Sequence, residues 1–203
     1  MTFDHRAPGT PAAEWQSTLD AATQLAVPKS GEHIVVVAAH PDDETLGAGG
    51  LIALAARHGA QLTVLVASDG EASHPSSPTH RPDELAQLRR RELHAAVAEL
   101  APSATVVLLG LPDGKLADHR RQISAAIDEA GAGCTHLVTP WVADEHPDHA
   151  ACAHAASESV AALHARHWQF PIWVWHWGDP GNGDVPVDAL GRVDLDRAAR
   201  AAK

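Results

Sequence analysis

Two short runs of the sequence combine histidine and aspartate at a spacing that can bind a metal ion. The run AAHPDDE at 38–44 places an imidazole close to two aspartate carboxylates. The run HPDH at 146–149 repeats much of that pattern about a hundred residues later. Neutral nitrogen and anionic oxygen are donors that Zn²⁺ and similar ions take in proteins. We therefore predict that the two runs converge on one ion.

Each run by itself also has a purely structural explanation. Aspartate can cap a helix, proline suits the first helical turn, and histidine can lie in a core. Because the pattern occurs twice, each time between a predicted strand and a predicted helix, capping alone is the weaker explanation. His40, His149 and either Asp42 or Asp43 form a set of two imidazoles and one carboxylate. Such a set leaves positions for water, as catalytic metal sites do.

A metal held in this way favours hydrolysis of an amide. It lowers the pKa of bound water to about 7 and polarises a carbonyl. An aspartate that is not a ligand can take the proton of the water and pass it to the leaving amine. His146, if protonated, can stabilise the oxyanion, and Asp148 either orients His146 or caps the helix. The same ligand set also suits a non-haem iron oxygenase, which is the alternative.

The elements around these runs predict an α/β fold. Apolar segments at 34–39, 62–67, 105–109 and 136–139 indicate buried strands, and amphipathic segments between them indicate helices. This alternation implies a parallel sheet with right-handed crossovers. We expect a Rossmann-like three-layer sandwich with a mostly parallel sheet. Sites in such folds lie at the carboxyl ends of the strands, where both runs fall.

Two further residues are candidates near that edge. Arg89 lies in the apolar stripe of a predicted helix at 82–100, so its charge must be paired or leave the core. Either Glu92 is its partner or it points into the site. Asp113 follows a predicted strand in a Pro-Asp-Gly turn, where aspartate usually serves the turn itself. The loop at 68–82 is long enough to be a lid.

The outer parts of the chain give weaker signals. Residues 1–30 predict an arm and a helix capped by Thr10, with one face from Trp15 to Ala26 packing outside the sheet. Residues 31–203 predict a single domain. The segment 171–177 alternates with period two and indicates a strand with three tryptophans on one side. Such a stripe is typical of a core or of a homo-oligomer contact, more than of a sugar-stacking surface.

Composition limits the class of protein. The net charge of −11 argues against nucleic acid as a partner. The sequence has neither an apolar stretch long enough for a membrane span nor a signal peptide, so a cytoplasmic location is expected. Cys134 and Cys152 lack the spacing of a structural zinc site and are expected to be small buried residues.

The sequence AHPDDE followed by a GAGG helix, and later HPDH, resembles the PIG-L / LmbE-like family of zinc-dependent N-acetylglucosaminyl deacetylases. That family includes enzymes of mycothiol and bacillithiol biosynthesis. The resemblance covers roughly 34–177 and extends to SDGE at 68–71, the pair at 89 and 92, and LPDG at 111–114. It implies an LmbE-like deacetylase domain, zinc or else iron as cofactor, and a small amino-sugar substrate.

The resemblance also implies roles for the matching residues. They are zinc binding by His40, Asp43 and His149, general base and acid action by Asp42, oxyanion or acid help by His146, and sugar contact by Arg89 and Asp113. Asp144 and Glu145 depart from the residues that many members carry there, and these carboxylates are expected to alter substrate preference or bind a basic group. Similar proteins also continue beyond the position of Lys203. A binding protein of the same fold without turnover is therefore a further alternative.

Overall fold

The computed structural model describes residues 6–203, and parallel strands form its centre. The strands are β1 (Thr23–Gln24), β2 (His33–Ala38), β3 (Gln61–Ser68), β4 (Thr105–Leu111), β5 (His136–Pro140), β6 (Arg166–Phe170) and β7 (Gly191–Arg192). Five of them form one sheet in the order β4-β3-β2-β5-β6, and β1 pairs with β7 in a separate two-stranded ladder. Every pairing is parallel.

Helices connect the strands and cover both faces of the sheet. They are α1 (Ala12–Ala21), α2 (Asp43–Arg57), α3 (Pro82–Leu100), α4 (Arg120–Ala130), α5 (Pro147–Leu163), α6 (Val174–Trp177) and α7 (Arg197–Ala202). Short 3₁₀ turns lie at Leu116–His119 and Val187–Ala189. The segment predicted as one helix at 116–130 is thus a 3₁₀ turn followed by α4.

The side chains of β2 take part in two hydrophobic clusters, one on each face of the sheet. Ile34 and Val36 pack with α2, α3 and α7 on one face of the sheet, whereas Val35 and Val37 pack with α4 and α5 on the other. All four side chains are fully buried, as expected for a central strand covered on both faces. The three-layer α/β sandwich with a parallel sheet is therefore confirmed.

The strand order determines where a site can form. The chain places β3 and then β4 on one side of β2, and then returns to place β5 on the other side. The connections after β2 and β5 therefore leave in opposite directions, which opens a crevice between their carboxyl ends. The run at 38–44 ends β2 and leads into α2, and the run at 146–149 follows β5 and begins α5. Both runs thus border the same crevice.

The prediction of a strand at 171–177 is wrong. Residues 174–177 form α6, and the edge strand of the sheet is β6, which lies just before this segment. The reason is the Asp144 carboxylate, which accepts hydrogen bonds from the backbone N–H groups of residues 172, 173 and 174. Those groups are therefore not available to a sheet. The tryptophans consequently separate: Trp175 packs on Trp15 and Trp177 stacks on Trp141.

The first helix also differs from expectation. Thr10 does not cap it; the Thr10 hydroxyl donates to the Gly178 carbonyl at 2.6 Å, and the helix begins at Ala12 and ends at Ala21. Its buried residue Trp15 packs against Val174 and Val185. This helix therefore supports the segment that follows β6. The division into an arm and one domain stays a prediction, and residues 1–5 of the arm lie outside the described residues.

Two expectations from composition can be compared with the structure. Cys134 and Cys152 are both buried free thiols, as predicted. Among residues 6–203, none of the helices combines the length and the apolar character that a membrane span requires.

Candidate metal centre

Three imidazoles meet in the crevice between β2 and β5. The ring centroids of His40 and His149 lie 5.7 Å apart, and His146 lies 5.0 Å from His40 and 4.6 Å from His149. Nitrogen atoms of all three rings fall within 4.8 Å of one another. The two sequence runs therefore converge in space.

Asp43 joins the two runs. Its Oδ2 atom accepts hydrogen bonds from the backbone N–H groups of Ala39 and His40, at 3.0 and 2.9 Å, which fixes the carboxylate at the end of β2. Its Oδ1 atom lies 3.3 Å from His149 Nε2, and Oδ2 lies 3.5 Å from His40 Nδ1. The Asp43 carboxylate thus lies between His40 and His149, the two histidines that are predicted to bind the same ion.

Further carboxylates surround His40. Its Nε2 atom lies 3.1 Å from Asp113 Oδ1 and 3.2 Å from Asp148 Oδ2, and these groups form a second cluster with metal-binding spacing. Asp148 does not orient His146 as expected; its carboxylate accepts from the backbone N–H groups of Gly114 and Leu116. Instead, His146 caps α5 by accepting from the Asp148 backbone N–H at its own Nδ1. Asp148 thus holds the 112–116 turn, and Asp113 with it, against His40.

Arg89 points into the site, which is one of its two predicted arrangements. The other, an ion pair with Glu92, is wrong. The Arg89 guanidinium donates to the carbonyls of Pro41 and Gly70 and to Asp42 Oδ2, the last at 2.9 Å. The Asp42 side chain is 57% exposed, whereas that of Arg89 is 15% exposed. Arg89 therefore fixes the direction of a carboxylate that is open to the cavity.

Asp144 is a site residue that the sequence reasoning misjudged. It is fully buried, and its Oδ2 lies 2.8 Å from His149 Nδ1. It cannot bind a basic group of a substrate because it has no contact with solvent. A carboxylate just before the second run is the signal that could have identified it, since metal-binding histidines commonly donate their other N–H group to a carboxylate.

The carboxylates control the protonation of the histidines. Burial disfavours a charged His40, but hydrogen bonds to Asp113, Asp148 and Asp43 outweigh it and raise its pKa to about 11. Burial also opposes protonation of His149, yet Asp144 and Asp43 raise its pKa to about 9. These groups create a site in which positive charge is strongly stabilised.

Asp43 and His146 respond in other directions. Burial disfavours a charged Asp43, but hydrogen bonds from His149 and His40 hold its pKa well below the usual range. Burial, with the positive charge of His149 and His40, lowers the pKa of His146 to about 4. Partial desolvation of its carboxyl within the cavity and the Asp43 charge raise the pKa of Asp42, against the effect of Arg89. At neutral pH, Asp43 is therefore charged and His146 is neutral.

The predicted site residues lie together in the structure. His40, Asp42, Asp43, Arg89, Asp113, His146 and His149 line one cavity of about 410 Å³, with Ile172 and Trp173 on its wall. Asp148 lies behind His40. The donor set of imidazoles and carboxylates, and the stabilisation of positive charge among them, fit a divalent cation. His40, Asp43 and His149 would hold it.

Comparison with known proteins shows the family to which the chain is related. Residues 35–160 match the family described as PIG-L, GlcNAc-PI de-N-acetylase. A deacetylase of 1D-myo-inositol 2-acetamido-2-deoxy-alpha-D-glucopyranoside from Mycolicibacterium vanbaalenii is 32% identical over an alignment of 167 residues that covers 70% of this chain and 58% of that protein. This chain thus spans little more than half the length of that relative.

Solved structures share the fold. The zinc-inhibited form of teicoplanin deacetylase superposes with a TM-score of 0.61 at 22% identity, covering 84% of this chain and 80% of that one. The 4-carboxy-2-hydroxymuconate hydratase from Pseudomonas putida KT2440 superposes with a TM-score of 0.55 at 24% identity, covering 64% and 56%. The fold therefore serves more than one reaction. By the match over residues 35–160 and the relative at 32% identity, this chain belongs to the PIG-L family.

Proposed function

We propose that this protein is a metal-dependent N-deacetylase that removes the acetyl group from an N-acetylglucosamine-type conjugate, releasing acetate and an amine. The observation that carries the proposal is the meeting of His40, Asp43 and His149 beside the exposed carboxylate of Asp42. Family membership supports it, as does the relative named for deacetylation of an acetamido glucopyranoside. The predicted cytoplasmic location and any homo-oligomer stay predictions.

The site residues provide what amide hydrolysis needs. A cation held by His40, Asp43 and His149 would polarise the acetamide carbonyl and acidify water. Asp42 takes a proton from the attacking water, because Arg89 holds its carboxylate towards the cavity and its pKa is raised. The same Asp42 then gives the proton to the departing amine nitrogen.

His146 can act without being charged. Its Nδ1 accepts the Asp148 backbone N–H, so its own proton lies on Nε2 in the neutral ring. That N–H group donates to the oxyanion that forms from the acetamide carbonyl. This assignment modifies the expectation of a protonated His146, whose pKa of about 4 leaves it neutral at pH 7. Arg89 and Asp113 contact the sugar in this proposal.

An acetate-release assay on a panel of N-acetylglucosamine conjugates tests the proposal. The protein is stripped with a chelator and reloaded in parallel with zinc, iron, cobalt or manganese, because a solved relative is described as zinc-inhibited. Asp42→Asn is expected to lose about 10²–10⁴-fold in rate while the metal content stays unchanged. Glu92→Gln, on the same helix as Arg89, is the matched control with unchanged rate.

The alternatives give different outcomes in the same assay. Oxygen uptake with iron and a 2-oxo acid, without acetate release, would support the oxygenase. Metal binding without turnover of any conjugate would support a binding protein. Hydration of an unsaturated carboxylate would support the chemistry of the Pseudomonas putida enzyme that shares the fold.

A further inference from the structure

The Asp144 carboxylate connects two parts of the site that are far apart in sequence. Its Oδ2 atom lies 2.8 Å from His149 Nδ1 and accepts the Trp173 backbone N–H at 3.0 Å. Its Oδ1 atom accepts the N–H groups of Ile172 and Val174 at 3.1 and 2.9 Å. One buried carboxylate thus accepts hydrogen bonds both from a candidate metal ligand and from the backbone of the cavity wall.

The hydrogen bond to His149 determines which ring nitrogen faces the metal. Both oxygens of Asp144 accept backbone N–H groups, so the carboxylate faces His149 as an acceptor and His149 carries a proton on Nδ1. In the neutral ring, the lone pair is then on Nε2, the atom that lies 3.3 Å from Asp43 Oδ1. A histidine with the opposite tautomer would present N–H to the metal and could not bind it.

The three backbone hydrogen bonds determine the position of the wall. Ile172 and Trp173 both line the cavity, and their N–H groups have Asp144 as acceptor. Truncation of Asp144 would leave these N–H groups without that acceptor. The wall therefore depends on the same side chain as the His149 ring.

We propose that Asp144 is a positioning residue that fixes the metal-binding tautomer of His149 and, through the same carboxylate, anchors the Ile172–Trp173 wall of the cavity. This inference rests on the proposed function, since it assumes that a metal binds at His149. It assigns Asp144 a role that is separate from proton transfer and from contact with the substrate.

Two substitutions separate the two roles. In Asp144→Asn, one oxygen acceptor remains. With the NH₂ group in place of Oδ2, Ile172 and Val174 keep their acceptor, Trp173 loses it, and the His149 proton moves to Nε2. With the NH₂ group in place of Oδ1, Val174 loses its acceptor and His149 keeps its proton on Nδ1. In Asp144→Ala, both the tautomer and the wall lose their support.

Metal affinity is the first measurement. Zinc binding to the full chain is measured by competition with a chelating dye, and Asp144→Ala is expected to bind about 10- to 100-fold more weakly than the wild type. Asp69→Asn is the matched control, since Asp69 is a buried carboxylate that pairs with Arg90 and contacts no imidazole of the centre. It is expected to bind zinc like the wild type. Equal zinc affinity of the wild type and Asp144→Ala would overturn the proposal.

Hydrogen exchange at residues 172–174 is the second measurement. Asp144→Ala is expected to lose protection at all three residues while α2 and α5 stay protected. Asp144→Asn is expected to lose protection at Trp173 alone if the His149 tautomer changes, or at Val174 alone if it does not. Unchanged protection in Asp144→Ala would contradict the anchoring role, even with weakened zinc binding.

A measurement on the wild type covers the case in which neither variant folds. In protein with ¹⁵N-labelled histidine and bound ¹¹³Cd, the metal is expected to couple to Nε2 of His149, with a proton on Nδ1. Coupling to Nδ1 would overturn the proposal. Wild-type protein that binds no metal would instead contradict the proposed function, so the two failures are distinguishable.

Discussion

The backbone of Asp42 is strained. Its φ angle is 112°, which residues with a Cβ rarely adopt. Such a conformation costs about 1–3 kcal/mol and persists only where surrounding contacts impose it. Here the Asp42 N–H donates to Glu44 Oε2 at 3.0 Å, and Arg89 holds both the Pro41 carbonyl and the Asp42 carboxylate. This strain directs a general base into the cavity.

Replacing Asp42 by glycine should therefore separate stability from activity. Both Asp42→Gly and Asp42→Ala remove the carboxylate and are expected to abolish most acetate release. The glycine variant is expected to be more stable than the alanine variant by about 1 kcal/mol, because glycine adopts positive φ without strain. Urea denaturation of the two variants measures the difference. An alanine variant as stable as the glycine variant would show that the backbone is not strained.

Metal binding is expected to release protons from the histidines. With pKa values of about 11 and about 9, His40 and His149 are protonated at pH 7 until a cation displaces their protons. Zinc affinity should therefore rise with pH until both histidines are neutral, steeply up to about pH 9 and less steeply from there to about pH 11. Titration calorimetry in buffers with different ionisation enthalpies measures the proton count. Binding without proton release at pH 7 would contradict this assignment of ligands.

The residue types of the site could be predicted from sequence more easily than their mutual contacts. The two runs and their position after strands were enough to predict that His40, Asp43 and His149 come together. Asp144 was misjudged because its partners lie 28 to 30 residues later, in a segment whose alternation indicated a strand. A carboxylate that receives backbone donors from a distant segment leaves no periodic signal in the sequence.

At the scale of elements, Gly47 of α2 lies against the ring of Phe170 at the end of β6. A Cβ atom at Gly47 would overlap the ring of Phe170, whereas one at Gly49 would meet its nearest neighbour, Leu100, at 3.6 Å. Phe170 is only 5% exposed, so its ring has little room to move. The glycine at 47 therefore allows the helix that carries Asp43 to approach the edge strand.

The two glycines form a matched pair for substitution. Gly47→Ala is expected to lower the free energy of unfolding by about 1–2 kcal/mol, since overpacking costs more than the gain in helix propensity. Gly49→Ala is expected to raise it by up to about 1 kcal/mol, because the added methyl group fits. Chemical denaturation of both variants tests this, and a stabilised Gly47→Ala would show that α2 and β6 are not in close contact.

The elements were predictable where burial was uniform. Strands such as β2 are apolar on both faces, and α3 carries a regular stripe, so their bounds agree with expectation to within a few residues. The prediction of a strand at 171–177 is wrong because tryptophans at alternate positions produce the period-two pattern that is typical of strands. Its actual form depends on Asp144, Trp15 and Trp141, which are contacts of the folded molecule.

At the scale of the whole molecule, the site joins two halves of the sheet. β2 with α2 supplies His40 and Asp43, and β5 with α5 supplies His149, about a hundred residues later. Since the two halves contribute ligands to one centre, a bound cation links them. Metal binding should therefore stabilise the whole fold against unfolding.

Thermal unfolding with and without zinc tests this link. At a free zinc concentration about 100 times the dissociation constant, stabilisation is about 2.7 kcal/mol, or an increase in Tm of about 5–10 °C for a chain of this size. His149→Ala is expected to show no such increase. An equal increase in that variant would place the zinc elsewhere.

The packing of Trp15 on Trp175 has a practical consequence for shortened genes. A polypeptide that starts at residue 31, the predicted domain boundary, would lack α1 and leave an aromatic surface on α6 uncovered. The Thr10 N–H group that the His176 carbonyl accepts would be lost as well, even though every proposed ligand is retained. A protein truncated at residue 31 should therefore aggregate more readily and hold its binding cavity less rigidly. Expression vectors should retain the first helix.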